Sequence, residues 1–335
     1  MILVTGGTGF VGSHLLFHLI NKGEEVSAIK RPTSTTKLTK KVFQWYSNNH
    51  EVLFKKIKWI DGDLLDYDSL IVALRGVDYV YHAAAVVSFN PSDKIRLMQT
   101  NVEGTSNLVN ASLAANIKKL CYVSSIAALG RAATTEFTTE ETEWKDVPGT
   151  SNYSRSKHRA ELEVWRAMAE GLKVVIVNPS IILGPGNWNE GSVKMFQTVY
   201  RGLKFYTSGR NGYVDVNDLV KAMILLMEGD FVNERYLINA ENIRYQALFT
   251  WMSDAFHIPP PKIKAGKILS ELSWRGLKIM SLLTGKAPLI TKETARTARA
   301  DYRYSNKKIK AATGMIFKPI KQTIQETVRI YLKDQ

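Results

Sequence analysis

Apolar residues gather in six short runs along the first half of the chain: "MILVTG" (1–6), "EVSAIKR" (25–31), "IKWIDGD" (57–63), "VDYVYHAAA" (77–85), "KKLCYVSS" (118–125) and "LKVVIVNPSIIL" (172–183). The segments between them switch to a 3.6-residue period, so strands alternate with amphipathic helices. Near-continuous apolar strands are those buried on both faces, which predicts a parallel sheet with helices on either side. In "SHLLFHLINKG" the residues Leu15, Leu16, Leu19 and Ile20 share one side of a helix ending near Gly23, making the opening a βαβ unit. The stretch 33–56 is long for a connection, and "KKVFQWYSNNHEVLFKKI" holds enough apolar and aromatic residues for an ordered helix of its own. After Pro179 the pattern loosens, with helices predicted at "SVKMFQTVYRGL", "DLVKAMILLM" and "TIQETVRIYLKD" and short strands at "YVDV" and "RYLIN". The fold class is therefore α/β: a doubly wound parallel sheet over residues 1–180, and a smaller C-terminal α/β substrate lobe in 181–335 that sends segments back to the core.

At 335 residues, 45% apolar and 23% charged, the chain has the size and composition of a globular protein with a sizeable core. Its single cysteine, Cys121, excludes a disulfide framework and points to a buried strand thiol in a reducing compartment. No stretch reaches the roughly 18 apolar residues of a membrane span, and Met1 runs directly into the first strand, so a cytoplasmic protein is expected. The basic, amphipathic segment 264–290, with Trp274, reads as helices of the substrate lobe rather than a membrane-surface helix. A formal charge of +14 favours anionic partners. The lysines and arginines are scattered and no nucleic-acid module is present, so a phosphate-bearing cofactor is expected rather than nucleic acid, and no metal.

Gly6, Gly9 and Gly12 give G-x-x-G-x-x-G, while Gly7, Gly9 and Gly12 give G-x-G-x-x-G. These glycines follow a strand and open a helix, where free N–H groups and the helix dipole favour a pyrophosphate. An acidic residue at the end of the second strand would bind a ribose 2′-hydroxyl, but that strand ends in Lys30 and Arg31. A guanidinium suits a 2′-phosphate, so NADP(H) is favoured over NAD(H). Asp63, in "GDLLD", suits either the adenine amino group or a turn.

"YSRSK" sets Tyr153 and Lys157 one helical turn apart on one face. The phenol, with a reference pKa near 10, needs a nearby ammonium to work as an acid or base at neutral pH. One element earlier, "YVSSIAALG" reads as a buried strand ending in Ser124 and Ser125, at the sheet edge where such folds bind ligands. Ser125 can donate to a substrate oxygen while Tyr153 transfers the proton and a nicotinamide the hydride.

Taken together, "TGGTGFVG", "DGDLLD", "HAAA", "NVEGT", "SS" at 124–125, "YSRSK", "NPSIILGPG", "YVDVNDLVKA" and the tail "YRYSNKKIKAATG" resemble the extended short-chain dehydrogenase/reductases, the class of the NAD(P)-dependent epimerases and dehydratases. The resemblance implies a Rossmann-like domain and a catalytic group of Ser125, Tyr153 and Lys157, with Asn101 as a buried helix asparagine that orders the site. It places Thr5, Gly6, Gly7, Thr8, Gly9, Phe10, Val11 and Gly12, then Lys30, Arg31, Asp63 and Leu64, then Ala83, Ala84, Ala85 and Ser124, around the cofactor. Tyr153, Lys157, Pro179 and Ile181 complete that set. Nucleotide-sugar members commonly carry Arg where this chain has Asn178, Asn where it has Ile181, and Arg near Asn211 and Arg210. These departures, with Arg31, look more like the branch of dihydroflavonol reductases and 3β-hydroxysteroid dehydrogenases. The function implied is reduction of a ketone, or oxidation of a secondary alcohol, on a small molecule with NADP(H). The alternatives are a nucleotide-sugar epimerase or dehydratase with tightly held NAD, and a non-catalytic dinucleotide sensor. Trp188, Phe196, Tyr200, Phe205 and Tyr206 suit an apolar pocket or plain core. Family members often pair through the tyrosine-bearing helix and the one before it, which implies a homodimer.

Overall fold

The computed structural model describes residues 1–132, 136–266 and 297–335. Most of the basic segment 264–290, including Trp274, therefore lies outside the described residues. Among those described, seven parallel strands form the main sheet: β1 (Ile2–Thr5), β2 (Val26–Lys30), β3 (Lys58–Asp61), β4 (Tyr79–His82), β5 (Lys119–Val123), β6 (Val174–Pro179) and β10 (Glu234–Ile238). Their spatial order is β10-β6-β5-β4-β1-β2-β3, so the winding reverses between β1 and β4, the place where open α/β sheets bind ligands.

Alternation along each strand feeds two cores. Ile2 and Val4 of β1 face a layer built from α1 (Phe10–Lys22), α2 (Lys37–Tyr46), α3 (His50–Lys55) and α9 (Val216–Glu228). Leu3 faces the other layer, built from α4 (Tyr67–Ala73), α6 (Gly104–Ala114) and α7 (Asn152–Ala169). On α1, Leu15, Leu16, Leu19 and Ile20 are all buried, each contributing about 1.5–3 kcal/mol of transfer free energy, and Gly23 ends the helix in the left-handed conformation. Before α6 the chain forms α5 (Lys94–Leu97) and then a π-helical segment, Met98–Glu103.

Two expectations are corrected. The run 172–183 is two strands in two sheets: Pro179 ends β6, the Ser180 N–H goes to the Ile238 carbonyl (2.9 Å), and β7 (Ile181–Leu183) pairs with β9 (Arg210–Asp215). The stretch 33–56 forms two helices, because Ser47 turns extended and its hydroxyl accepts the Asn49 N–H (3.1 Å), replacing a helical bond. "RYLIN" supplies the edge strand β10 of the main sheet, parallel to β6, and is one of the segments of 181–335 that return to the core. The lobe sheet is β11 (Glu241–Arg244), β9 and β7, beside a small pair, β8 (Phe205–Tyr206) and β12 (Ile263–Lys264). Around it lie α8 (Lys194–Tyr200), α10 (Tyr245–Ala255) and α12 (Ile320–Lys333), with Phe196, Leu248, Met252 and Tyr331 in its core, while α11 (Lys307–Thr313) sends Ile309 into the core shared with α1 and α9. Among the described residues no helix is long and apolar enough to cross a membrane.

Candidate active site

The turn from β1 into α1 opens at the β1/β4 reversal. Gly6 takes φ +72°, and a Cβ there would fall 2.6 Å from the Ala84 nitrogen; one on Gly12 would fall 2.1 Å from the Gly6 oxygen. The α1 N-cap, Gly9, brings no side-chain acceptor, and no acidic residue sits in the first turn, so the leading N–H groups are left to a ligand in the cleft that Gly9, Phe10, Val11 and Gly12 line. This uncapped helix end fits a pyrophosphate. Gly12→Ala, which forces its methyl into the Gly6 carbonyl, will weaken dinucleotide binding about tenfold or more, read by fluorescence titration.

Of the candidate cofactor residues, Thr5, Gly6, Thr8, Lys30, Arg31, Asp63, Leu64, Ala83, Ala84, Ala85, Ser124, Pro179 and Ile181 line the same cleft, whose volume is about 2410 Å³. Gly7 does not: it lies beneath the loop, where a Cβ would meet Leu16 Cδ1 at 2.8 Å, and its carbonyl accepts the Ser13 and Thr39 hydroxyls (3.2 and 3.0 Å). Lys30 is ion-paired with Asp61, whereas Arg31 is exposed at the rim. Asp63 accepts the Leu65 N–H (3.1 Å) in a turn. Thr5 Oγ1 bonds His82 Nδ1 (2.7 Å), whose Nε2 bonds Thr105 Oγ1 (3.0 Å). Burial, reinforced by the Lys157 charge, pushes His82 down to about 3, so it stays neutral there.

Helix α7 is capped by Ser151, whose hydroxyl accepts the Ser154 N–H (2.9 Å), and its buried stripe includes Tyr153, Lys157, Ala160, Glu161 and Val164. Lys157 is 1% exposed, and its Nζ donates to the Tyr122 hydroxyl (3.1 Å) and the Val123 carbonyl (2.8 Å) on β5. Burial lowers its pKa to about 7, with the Glu161 carboxylate acting the other way. Burial raises the Tyr153 phenol, and a hydrogen bond with Ser125 opposes it. Ser125 Oγ accepts the Ala127 N–H (3.0 Å), leaving the hydroxyl proton free to donate. The Ser124 hydroxyl instead donates inward to Glu161. Asn101 lies in the π-helical segment behind the cleft: its amide clamps both backbone groups of Val86 (2.7 and 2.9 Å) and donates to Ser156 Oγ (3.0 Å), tying the loop after β4 to α7.

In the lobe, Trp188, Phe205 and Tyr206 line the cleft, while Phe196 is fully buried core and Tyr200 packs on Phe256 and Tyr331. Asn211 lines the cleft and Arg210 pairs with Asp301 (3.4 Å). No cluster of three metal-ligating side chains occurs among the described residues. The sequence reading passed over Glu161, although it continues the Tyr153 and Lys157 stripe at i+4; its partners Ser124, Asn178 and Arg235 come from three strands and carry no local signal.

A tyrosine and lysine on the helix flanking a strand-end serine, across from an uncapped glycine turn, define an NAD(P)-dependent oxidoreductase of the extended short-chain type. The chain belongs to the NAD dependent epimerase/dehydratase family, whose model matches residues 2–238. It is 29% identical to a Synechocystis sp. protein provisionally named dihydroflavonol 4-reductase, over 97% of this chain and 92% of that one. It is 28% identical to cinnamoyl-CoA reductase 1 of Petunia hybrida, over 98% of this chain and 91% of that one. The crystal structure of gox2253 superposes with a TM-score of 0.82 at 30% identity, covering 100% of this chain and 98% of that one.

Proposed function

We propose that the chain is an NADP(H)-dependent reductase of a ketone on a fairly apolar small molecule, or in reverse a dehydrogenase of the secondary alcohol, with residues 1–180 holding the cofactor and 181–335 mainly the substrate. The observation that carries this reading is the buried Lys157, held by Tyr122 and Val123 one turn from Tyr153 in a cleft that also contains Ser125 and the glycine turn. The reductase-named relatives and the apolar Ile181 in the cleft support the direction and the substrate class.

A dinucleotide would be held by the α1 N-terminus and the Gly6–Gly12 turn, its adenosine end by Arg31 and Asp63 and its far end near Pro179 and Ile181. Bound there, its nicotinamide supplies or accepts the hydride. Ser125 orients the substrate oxygen with the hydroxyl proton that its Ala127 bond leaves available. Tyr153 passes its proton to that oxygen, and the Lys157 ammonium stabilises the phenolate left behind. Asn101 keeps α7 in place against the loop after β4.

NADPH consumption with a panel of aryl and alicyclic ketones tests the reading. No turnover, together with NAD retained through purification, would favour epimerase or dehydratase chemistry instead. Because Lys30 is already paired, Arg31, the residue that follows β2 in the cleft lining, is the cation assigned here to a 2′-phosphate. Arg31→Ala will raise KM for NADPH about tenfold and leave that for NADH within about twofold, as steady-state kinetics will show. Equal effects on both cofactors would remove the 2′-phosphate assignment.

A further inference from the structure

Glu161 is a carboxylate that is 2% exposed, on the catalytic face of α7, and four donors converge on it. Ser124 Oγ and Asn178 Nδ2 (2.8 Å) reach Oε2; Arg235 Nη1 (3.1 Å) and Trp165 Nε1 (3.4 Å) reach Oε1. Three of the four carry nitrogen donors, so only an acceptor with several lone pairs satisfies them all, and an amide in its place would turn N–H against N–H. Trp165 lies on α7 itself, and the other three donors come from the residue after β5, from β6 and from β10, so one side chain joins three strands to the helix of Tyr153 and Lys157. Asn178 extends the connection, since the same Nδ2 donates to the Ser125 carbonyl (3.0 Å). Both of its partners are acceptors, which fixes the orientation of the amide.

We propose that Glu161 is a positioning residue for the reaction, acting through Ser124 and Asn178 to hold the Ser125 loop and through its charge, shared with Arg235, to keep the Lys157 ammonium charged. The inference rests on the reading that Ser125, Tyr153 and Lys157 carry the redox step. The groups facing Lys157 are few. Tyr153 and Glu161 lie on its own helix, Tyr122 on β5 places its ring 4.6 Å from Nζ, His82 on β4 is neutral, and Arg235 on β10 pairs with Glu161 (3.1 Å). Glu161 is thus the sole negative charge among them, and Arg235 sets how much of that charge Lys157 feels. Arg235 also donates to the Glu140 carbonyl, and Glu140 Oε1 accepts the Leu237 N–H (2.7 Å), so the network continues into the loop that borders the cleft.

Two variants of the full-length protein test this, with Lys157 followed by carbon-13 NMR of ε-labelled lysine and kcat measured against pH. Glu161→Gln will move the Lys157 titration and the alkaline limb of kcat down by about one pH unit. It will lower kcat about tenfold with KM within about twofold, and Glu161→Asp will recover part of both. Arg235→Met, at a half-buried site, will move the same titration upwards, because it strips Glu161 of its competing cation. Opposite shifts from the two partners of one ion pair are not the signature of a scaffold. A Lys157 titration left in place by Glu161→Gln overturns the proposal, whatever happens to the melting temperature; if that variant does not fold, an unmoved titration in Arg235→Met does so. The NMR readout needs no turnover, so a wild-type protein inactive on every ketone would count against the reductase reading and not against this one.

Discussion

Tyr153→Phe will lower kcat by about a thousandfold or more while leaving the NADPH dissociation constant within about twofold. The substitution deletes one hydroxyl and keeps the ring, which packs edge-on against Phe89 at 5.4 Å and is 9% exposed, so fold and cleft shape persist. What disappears, on the proposed mechanism, is the proton that the substrate oxygen receives as charge develops on it. Ser125 can orient that oxygen, but nothing places an equivalent acid beside it. Lys157 does not substitute, because its Nζ is committed to Tyr122 and Val123 on the floor of the site. Single-turnover rates and a fluorescence titration of cofactor separate the two effects. A variant with full activity would remove Tyr153 from the mechanism, and one that loses cofactor affinity in parallel would make the phenol a binding group.

Stability should fall steeply in mild acid. His14 is fully buried between the Pro185 carbonyl (2.9 Å) and the Tyr46 hydroxyl (3.1 Å), and burial pushes it down to about 4; His82 is pushed to about 3. In the unfolded chain both titrate near 6.5. Below that pH the unfolded state binds protons that the folded state refuses, so stability holds above about pH 6.5 and is lost as pH falls towards the folded values. Two such groups amount to about 6 kcal/mol between pH 6.5 and 4, comparable to the whole stability of many domains. Denaturant titrations at pH 7 and pH 4 measure it, and His14→Gln should remove roughly half of the difference. A free energy of unfolding that is flat across this range would mean that both imidazoles accept protons in place.

What the chain disclosed in advance was whatever local chemistry dictates. β1 and α1 were legible because glycine spacing, strand burial and helix period all fall within the first 23 residues, and the family resemblance drawn from the motifs agrees with the family match. Tyr153 and Lys157 were legible because a helical turn separates them. The parting of β6 from β7 was not, since it depends on the Ser180 N–H finding the Ile238 carbonyl far along the chain. Nor was the membership of β10 in the main sheet, because a short apolar run carries no mark of the sheet it will join. Glu161 was overlooked for a related reason: a carboxylate among charged helix neighbours looks solvated until three strands are brought to it.

The single residue between β6 and β7 acts as a ruler. One strand ends in the seven-stranded sheet that carries the glycine turn and the next begins in the three-stranded sheet that gives Ile181, Ile182 and Asn211 to the cleft, with Ser180 alone between them. The two sheets therefore cannot drift apart along this path, and the span between the two walls of the cleft is set here by covalent geometry rather than by a hinge. Variation beyond Gly184 can reshape the far wall of the cleft without resetting that span.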